Sequence, residues 1–142
     1  MQTSQSAIDL RQPAFAQNLL METYMTVVEK ISALRKEMNK NGIAAWIIPS
    51  SDPHNTEYTP TRWQGREWIS GFTGSVGTVV ITLEKAGLWV DGRYHIQAPL
   101  QVAGTGIDVF KQGLAGVPTI SQWLAEILPG GAQVGFDATV FP

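Results

Sequence analysis

Residues 71–97, GFTGSVGTVVITLEKAGLWVDGRYHIQ, decide the fold. The stretch opens on three glycines at a spacing of three, Gly71, Gly74 and Gly77. A β-branched, apolar run follows from Thr78 to Leu83, then a turn containing Gly87, then a second apolar run from Leu88 to Val90. Two such runs about a short turn predict a β-hairpin, with a tight turn at 84–87. Asp91 then stands as a helix N-cap, since its carboxylate accepts the free N–H groups of a helix starting just after it. Arg93 is thereby expected on a rigid first turn, where its fork of donors suits a carboxylate or a peptide carbonyl.

The motifs S-G-F-T-G-S-V-G-T and L-W-V-D-G-R-Y-H-I-Q-A resemble the N-terminal domain of the Xaa-Pro aminopeptidases. These are metallopeptidases of the wider creatinase/prolidase group, whose catalytic domain has the "pita-bread" fold. The resemblance extends back through Ile47-Ile48-Pro49-Ser50, D-P-H-N-T-E-Y (Asp52 to Tyr58) and R-E-W-I-S-G-F (Arg66 to Phe72). Forward it reaches Val134-Gly135-Phe136-Asp137, so that it covers most of residues 27–142.

Outward from the hairpin, helices and strands alternate. Thr26 and Glu29 form a capping-box pattern ahead of Val27, Ile31, Leu34 and Met38 at helical spacing, with Gly42 at the C′ position. Ile43 to Ile48 is nearly all apolar, the pattern of a strand covered on both faces, and Pro49 ends it. Thr61 and Gln64 repeat the capping-box pattern before a short helix from Arg62 to about Ser70, with Trp63, Trp68 and Ile69 as its apolar residues. After Arg93 a helix is expected to continue through Tyr94, Ile96 and Ala98 until Pro99 kinks or ends it. Family members usually run this helix on without a break. Ile107 to Phe110 reads as a strand with Ile107 and Val109 on one face. Thr119 and Gln122 cap a helix that turns Trp123, Leu124, Ile127 and Leu128 inward, and Pro129-Gly130-Gly131 stops it before a strand from Gln133 to Phe136. The fold class is therefore α/β: a single domain, residues 21–142, with a central mixed β-sheet flanked by helices, preceded by a loosely ordered Gln-rich leader at 1–20.

Composition narrows the function. A net charge of −2 provides no electrostatic basis for binding nucleic acid. No apolar run approaches the roughly 20 residues that span a bilayer, and no basic region precedes an apolar run near Met1, so the cytoplasm is expected. There is no cysteine and hence no thiol chemistry. Charged residues make up 15% of the chain, which is low, and with five tryptophans this predicts self-association or an exposed apolar face.

Three motifs invite chemistry. The glycine loop raises phosphate binding, but it lies between a helix and a strand, the reverse of the order that aims a helix N-terminus at phosphate, and no lysine follows. G-x-S-x-G fails around Ser75 because Thr73 occupies the first glycine position. Asp52, His54 and Glu57 raise a metal site, against which Pro53 and Asn55 mark a turn and no second ligand pair follows. No catalytic residue and no metal ligand is assigned. The resemblance puts the 52–57 loop on the active-site side, which makes His54 a candidate for a supporting substrate contact beside its reading as a packed structural residue.

The resemblance further implies removal of an N-terminal residue that precedes proline. The reaction uses water activated by two Mn or Zn ions, held by Asp, Asp, His, Glu and Glu of a C-terminal catalytic domain that these residues do not include. The N-terminal domain's share would be homodimer contacts, a wall of the substrate cleft and an arginine that meets the peptide. Residue matching assigns that arginine to Arg93; its competing reading is a turn arginine paired with a neighbouring carboxylate. Two other readings accompany this one: a peptide-binding module of a relative without metal ligands, as in histone-chaperone subunits, or the N-terminal domain of a prolidase or creatinase.

Overall fold

The computed structural model describes residues 25–140. The 1–20 leader lies outside the described residues. A five-stranded sheet forms the centre, in the order β4-β3-β2-β1-β5, from β1 (Ala45–Pro49), β2 (Thr78–Thr82), β3 (Ala86–Val90), β4 (Asp108–Lys111) and β5 (Val134–Phe136). The β1–β2 and β2–β3 pairs are antiparallel, whereas β3–β4 and β1–β5 are parallel. The sheet is therefore mixed, as the alternation of elements implies.

The period of two along each strand divides the core between the two sheet faces. Val79, Ile81, Leu88 and Val90 pack on one face against Ile31 and Met38 of α1 (Val27–Lys40), Ile69 of α2 (Gly65–Ser70) and Ala98 of α3 (Gln97–Gln101). Ala45, Val80 and Trp89 pack on the other against Trp123 and Leu124 of α4 (Ile120–Ile127). Trp89 stacks on Phe110 at 4.2 Å and 9°, and its indole N–H donates to the Pro118 carbonyl at 2.9 Å. That donor is thus satisfied inside the second core.

Two of the three capping boxes form. Thr26 Oγ1 accepts from the Glu29 amide at 3.2 Å, and the Thr26 amide donates back to Glu29 Oε2 at 2.7 Å. Thr119 and Gln122 make the same reciprocal pair at the start of α4, at 3.2 and 2.9 Å. The third does not form. Thr61–Trp63 is a 3₁₀ turn begun by Pro60 without a side-chain cap, and the Gln64 side chain donates to the Thr59 carbonyl instead. The helix proper starts only at Gly65, because Gln64 leaves the helical region at φ −82°, ψ 42°.

The hairpin turn also differs in place. It spans Thr82–Lys85, where the Thr82 hydroxyl accepts from the Glu84 and Lys85 amides. Gly87 sits within β3 under two aromatic rings, and a Cβ there would stand 2.5 Å from Trp89 and 2.8 Å from Phe110. Close approach explains that glycine, rather than turn conformation.

After β3 the expected continuous helix is broken in two. Gly92–Tyr94 is a single 3₁₀ turn, and α3 restarts at Gln97. Pro99 falls in the first turn of α3, where its missing N–H costs nothing. The interruption thus precedes the proline, at His95–Ile96, and leaves Ile96 79% exposed.

Candidate functional site: the cleft beside Arg93

β1, the loop after it and the glycine loop enclose a polar cleft of about 460 Å³. Its walls include Ser50, Thr56 and Glu57 on one side and Ser75, Gly77 and Arg93 on the other. Local chemistry shapes each wall. Asp52 is buried, and one carboxylate oxygen accepts from the His54 and Thr56 amides at 2.9 and 3.1 Å. Its other oxygen accepts the Thr56 hydroxyl. The Thr56 hydroxyl foremost, then the two amides, hold the Asp52 carboxyl below the usual carboxylate range. Asp52 therefore ties its own loop shut and leaves Glu57 outermost and exposed.

On the opposite wall, Gly77 donates its amide to Ser50 Oγ at 3.1 Å, joining the glycine loop to the end of β1. The Tyr94 hydroxyl accepts from the Ser75 amide at 3.0 Å and shares a 2.7 Å hydrogen bond with Ser75 Oγ. Gly74 permits this arrangement, since a Cβ there would stand 2.3 Å from Phe72 and 2.9 Å from the Tyr94 ring.

Arg93 stands where the sequence places it, at the start of a helical turn capped by Asp91. The Arg93 amide donates to Asp91 Oδ1 at 3.0 Å. Its guanidinium turns back on the same carboxylate, Nε to Oδ1 at 3.1 Å and Nη2 to Oδ2 at 2.9 Å. This fork holds Asp91 below and Arg93 above their ordinary pKa values. The guanidinium carbon also lies 5.3 Å from the centre of the Tyr94 ring. Arg93 is thus in a paired state, but its Nη1 protons and one Nη2 proton stay unused by Asp91, and its side chain is 56% exposed. Glu57, across the cleft, is close enough to add to the Arg93 shift. The cleft therefore presents a preorganised cation and a nearby free carboxylate, a pairing that suits an extended zwitterionic or amide-rich ligand.

His54 does not join them. Its side chain is exposed and not packed, and it lies outside the cleft wall, because the Asp52-bonded turn directs only its amide inward. Asp52, His54 and Glu57 do not fit a metal ion: the Asp52 oxygens are engaged by their own loop, while the other two side chains face solvent. Among the described residues no group of three ligand-type side chains converges. Sequence reasoning weighed Ser75 only as a G-x-S-x-G nucleophile and did not single out Ser50 or Tyr94. The last follows Arg93 directly, but its bond to Ser75 spans nineteen residues and has no local signature.

A second, larger groove of about 540 Å³ adjoins this cleft at Pro49 and Ser51, and its lining includes Leu34, Trp46, Ile48, Trp63 and Trp68. Trp68, 51% exposed, is part of the apolar surface expected from composition.

The described residues form one α/β unit around a mixed five-stranded sheet, and comparison identifies the family it belongs to. The family model of the creatinase/prolidase N-terminal domain matches residues 30–142, and the chain belongs to that family. It is 43% identical over 122 residues to aminopeptidase P2 of Arabidopsis thaliana, covering 84% of this chain and 17% of that protein. It superposes on an X-prolyl aminopeptidase from Caenorhabditis elegans, a cytosolic enzyme with a di-nuclear active site, with a TM-score of 0.77 and 34% identity, covering 82% of this chain and 20% of that one. The N-terminal domain of a putative metallopeptidase from Corynebacterium diphtheriae shares the fold, with a TM-score of 0.56 at 23% identity and coverage of 79% and 76%. The chain therefore spans less than a fifth of the length of the curated relatives it matches.

Proposed function

We propose that this chain serves as the non-catalytic N-terminal domain of a Xaa-Pro aminopeptidase. In that role it forms one wall of the cleft that receives peptides with proline in second position. The observation that carries the reading is Arg93, held on an Asp91-capped turn at the edge of a polar cleft, with donors left over after pairing. Those donors are free for a peptide carbonyl or carboxylate, and Glu57 offers a counter-charge for the ammonium group that an aminopeptidase substrate carries. The relatives' names support this substrate class. Cleavage would fall to a catalytic domain outside these residues, where two Mn or Zn ions would activate the attacking water. This domain binds and orients the peptide. Homodimer contacts and a cytoplasmic site complete the proposal; the described helices are too short or polar to cross a membrane, and the worm relative is a cytosolic enzyme.

The test belongs in the full-length enzyme. Arg93→Ala should lower kcat/KM by about 1.5–3 kcal/mol, roughly 10- to 150-fold, with metal content and melting temperature unchanged. Arg93→Lys should recover only part, because it keeps the charge and lacks the planar fork. Wild-type efficiency of Arg93→Ala on short and long Xaa-Pro peptides would reduce Arg93 to its pairing with Asp91. This chain alone should take up no stoichiometric Mn or Zn, as calorimetry would show.

A further inference from the structure

Arg66 sits in α2 with only 6% of its surface exposed, and its Nε and Nη1 find no hydrogen-bond partner. Burying a guanidinium with idle donors is costly, and a hydrocarbon of the same length would fill the space with less penalty. Its surroundings show what a hydrocarbon would lack. The guanidinium carbon lies 5.0 Å from the centre of the Phe72 ring. Phe72 meets Tyr94 edge to face, with centroids 5.4 Å apart and planes at 83°. Tyr94 in turn holds Ser75 through its hydroxyl and lies beneath the Arg93 guanidinium. The same cation backs the cleft floor directly, since a Cβ on Gly77 would stand 3.4 Å from Arg66 Nη1 and 3.1 Å from Phe72.

We propose that Arg66 is a positioning residue, which fixes the Ser75–Gly77 floor and the Tyr94 platform under Arg93 by holding the Phe72 ring through a buried cation–π contact. The order is guanidinium, ring, ring, guanidinium, with the inner cation buried and the outer one presented to the cleft. A cation–π contact strengthens on desolvation, so the buried member is the firm end of the row. Ser70 locks that end further: its hydroxyl donates to the Arg66 carbonyl at 2.6 Å and accepts the Phe72 amide at 3.1 Å. Peptide binding plays no part here, so the proposal stands or falls apart from the reading of Arg93 as a peptide contact.

The experiment compares Arg66→Met and Arg66→Lys with the wild-type chain by amide hydrogen exchange and by ultraviolet titration of the tyrosines. Met keeps the length and removes the cation. Arg66→Met should melt at or above the wild-type temperature, yet exchange at the Ser75 and Gly77 amides should rise by about tenfold as the floor opens locally. Tyr94, whose acidity its bond to Ser75 enhances, should then titrate closer to an ordinary tyrosine. Arg66→Lys should lie between the two. If Arg66 is only a space-filling plug, Met leaves both readouts unchanged, and that result overturns the proposal. Should Arg66→Met fail to fold, Arg66→Lys decides: faster Ser75 exchange in a folded chain supports the guanidinium's role, and wild-type exchange refutes it.

Discussion

Asp52 and Asp91 are both carboxylates at the start of a turn, and they do different work. Asp91 accepts both the amide and the exposed guanidinium of Arg93, whereas Asp52 binds amides and a hydroxyl of its own loop. The folded pKa of Asp52 is lowered, so its contribution is complete above the unfolded value of about 3.9 and disappears as pH falls through the folded one. The Thr56 amide resonance should therefore move as pH falls below about 4, when its bond to the Asp52 carboxylate is lost. Asp52→Asn should abolish that acid transition, and a Thr56 amide that stays still below about pH 4 in the wild-type chain would contradict the assignment. Gly87 supplies a packing test at the same scale. Gly87→Ala drives a methyl into Trp89 and Phe110, and should cost about 1–3 kcal/mol in urea unfolding.

Among the elements, α4 depends on its cap. It is eight residues long, too short to be stable alone, and begins with the Thr119–Gln122 capping box. Thr119→Ala should destabilise the chain by about 1 kcal/mol, read as a shifted denaturation midpoint with unchanged slope. The same substitution at Thr61 should cost less, because no side-chain cap exists there. The two threonines look alike in sequence. Both follow a proline, Pro60 and Pro118; what differs is Gln64, whose backbone leaves the helical region and whose side chain donates to the Thr59 carbonyl. α3 makes a related point: Pro99 reads as a helix breaker, yet it lies in a first turn where it breaks nothing.

At the scale of the whole molecule, a five-stranded sheet separates two cores, and the apolar groove is left open on the α1–α2 side. Three tryptophans in or beside solvent give this chain a reason to associate. Light scattering should show concentration-dependent self-association, and Trp68→Ser should weaken it without lowering the melting temperature, since Trp68 is 51% exposed. A chain that stays monomeric at high concentration would count against the groove as a sticky face.

The α/β class and mixed sheet followed from the alternation of elements and the hairpin. Two of the three capping boxes and the Asp91–Arg93 turn were legible in the residues because each rests on interactions within about four positions. Arg93 was legible for the same reason: its cap lies two residues away. What only the tertiary structure decided lies between distant segments. It left His54 exposed, since the Asp52 turn aims an amide inward and the imidazole outward. It moved Gly87 from a turn to a packing site, because the rings that demand a glycine arrive from Trp89 and from Phe110 of β4. It also built the cleft by bringing Ser50 to Gly77 and Ser75 to Tyr94, contacts over 27 and 19 residues that no local pattern encodes.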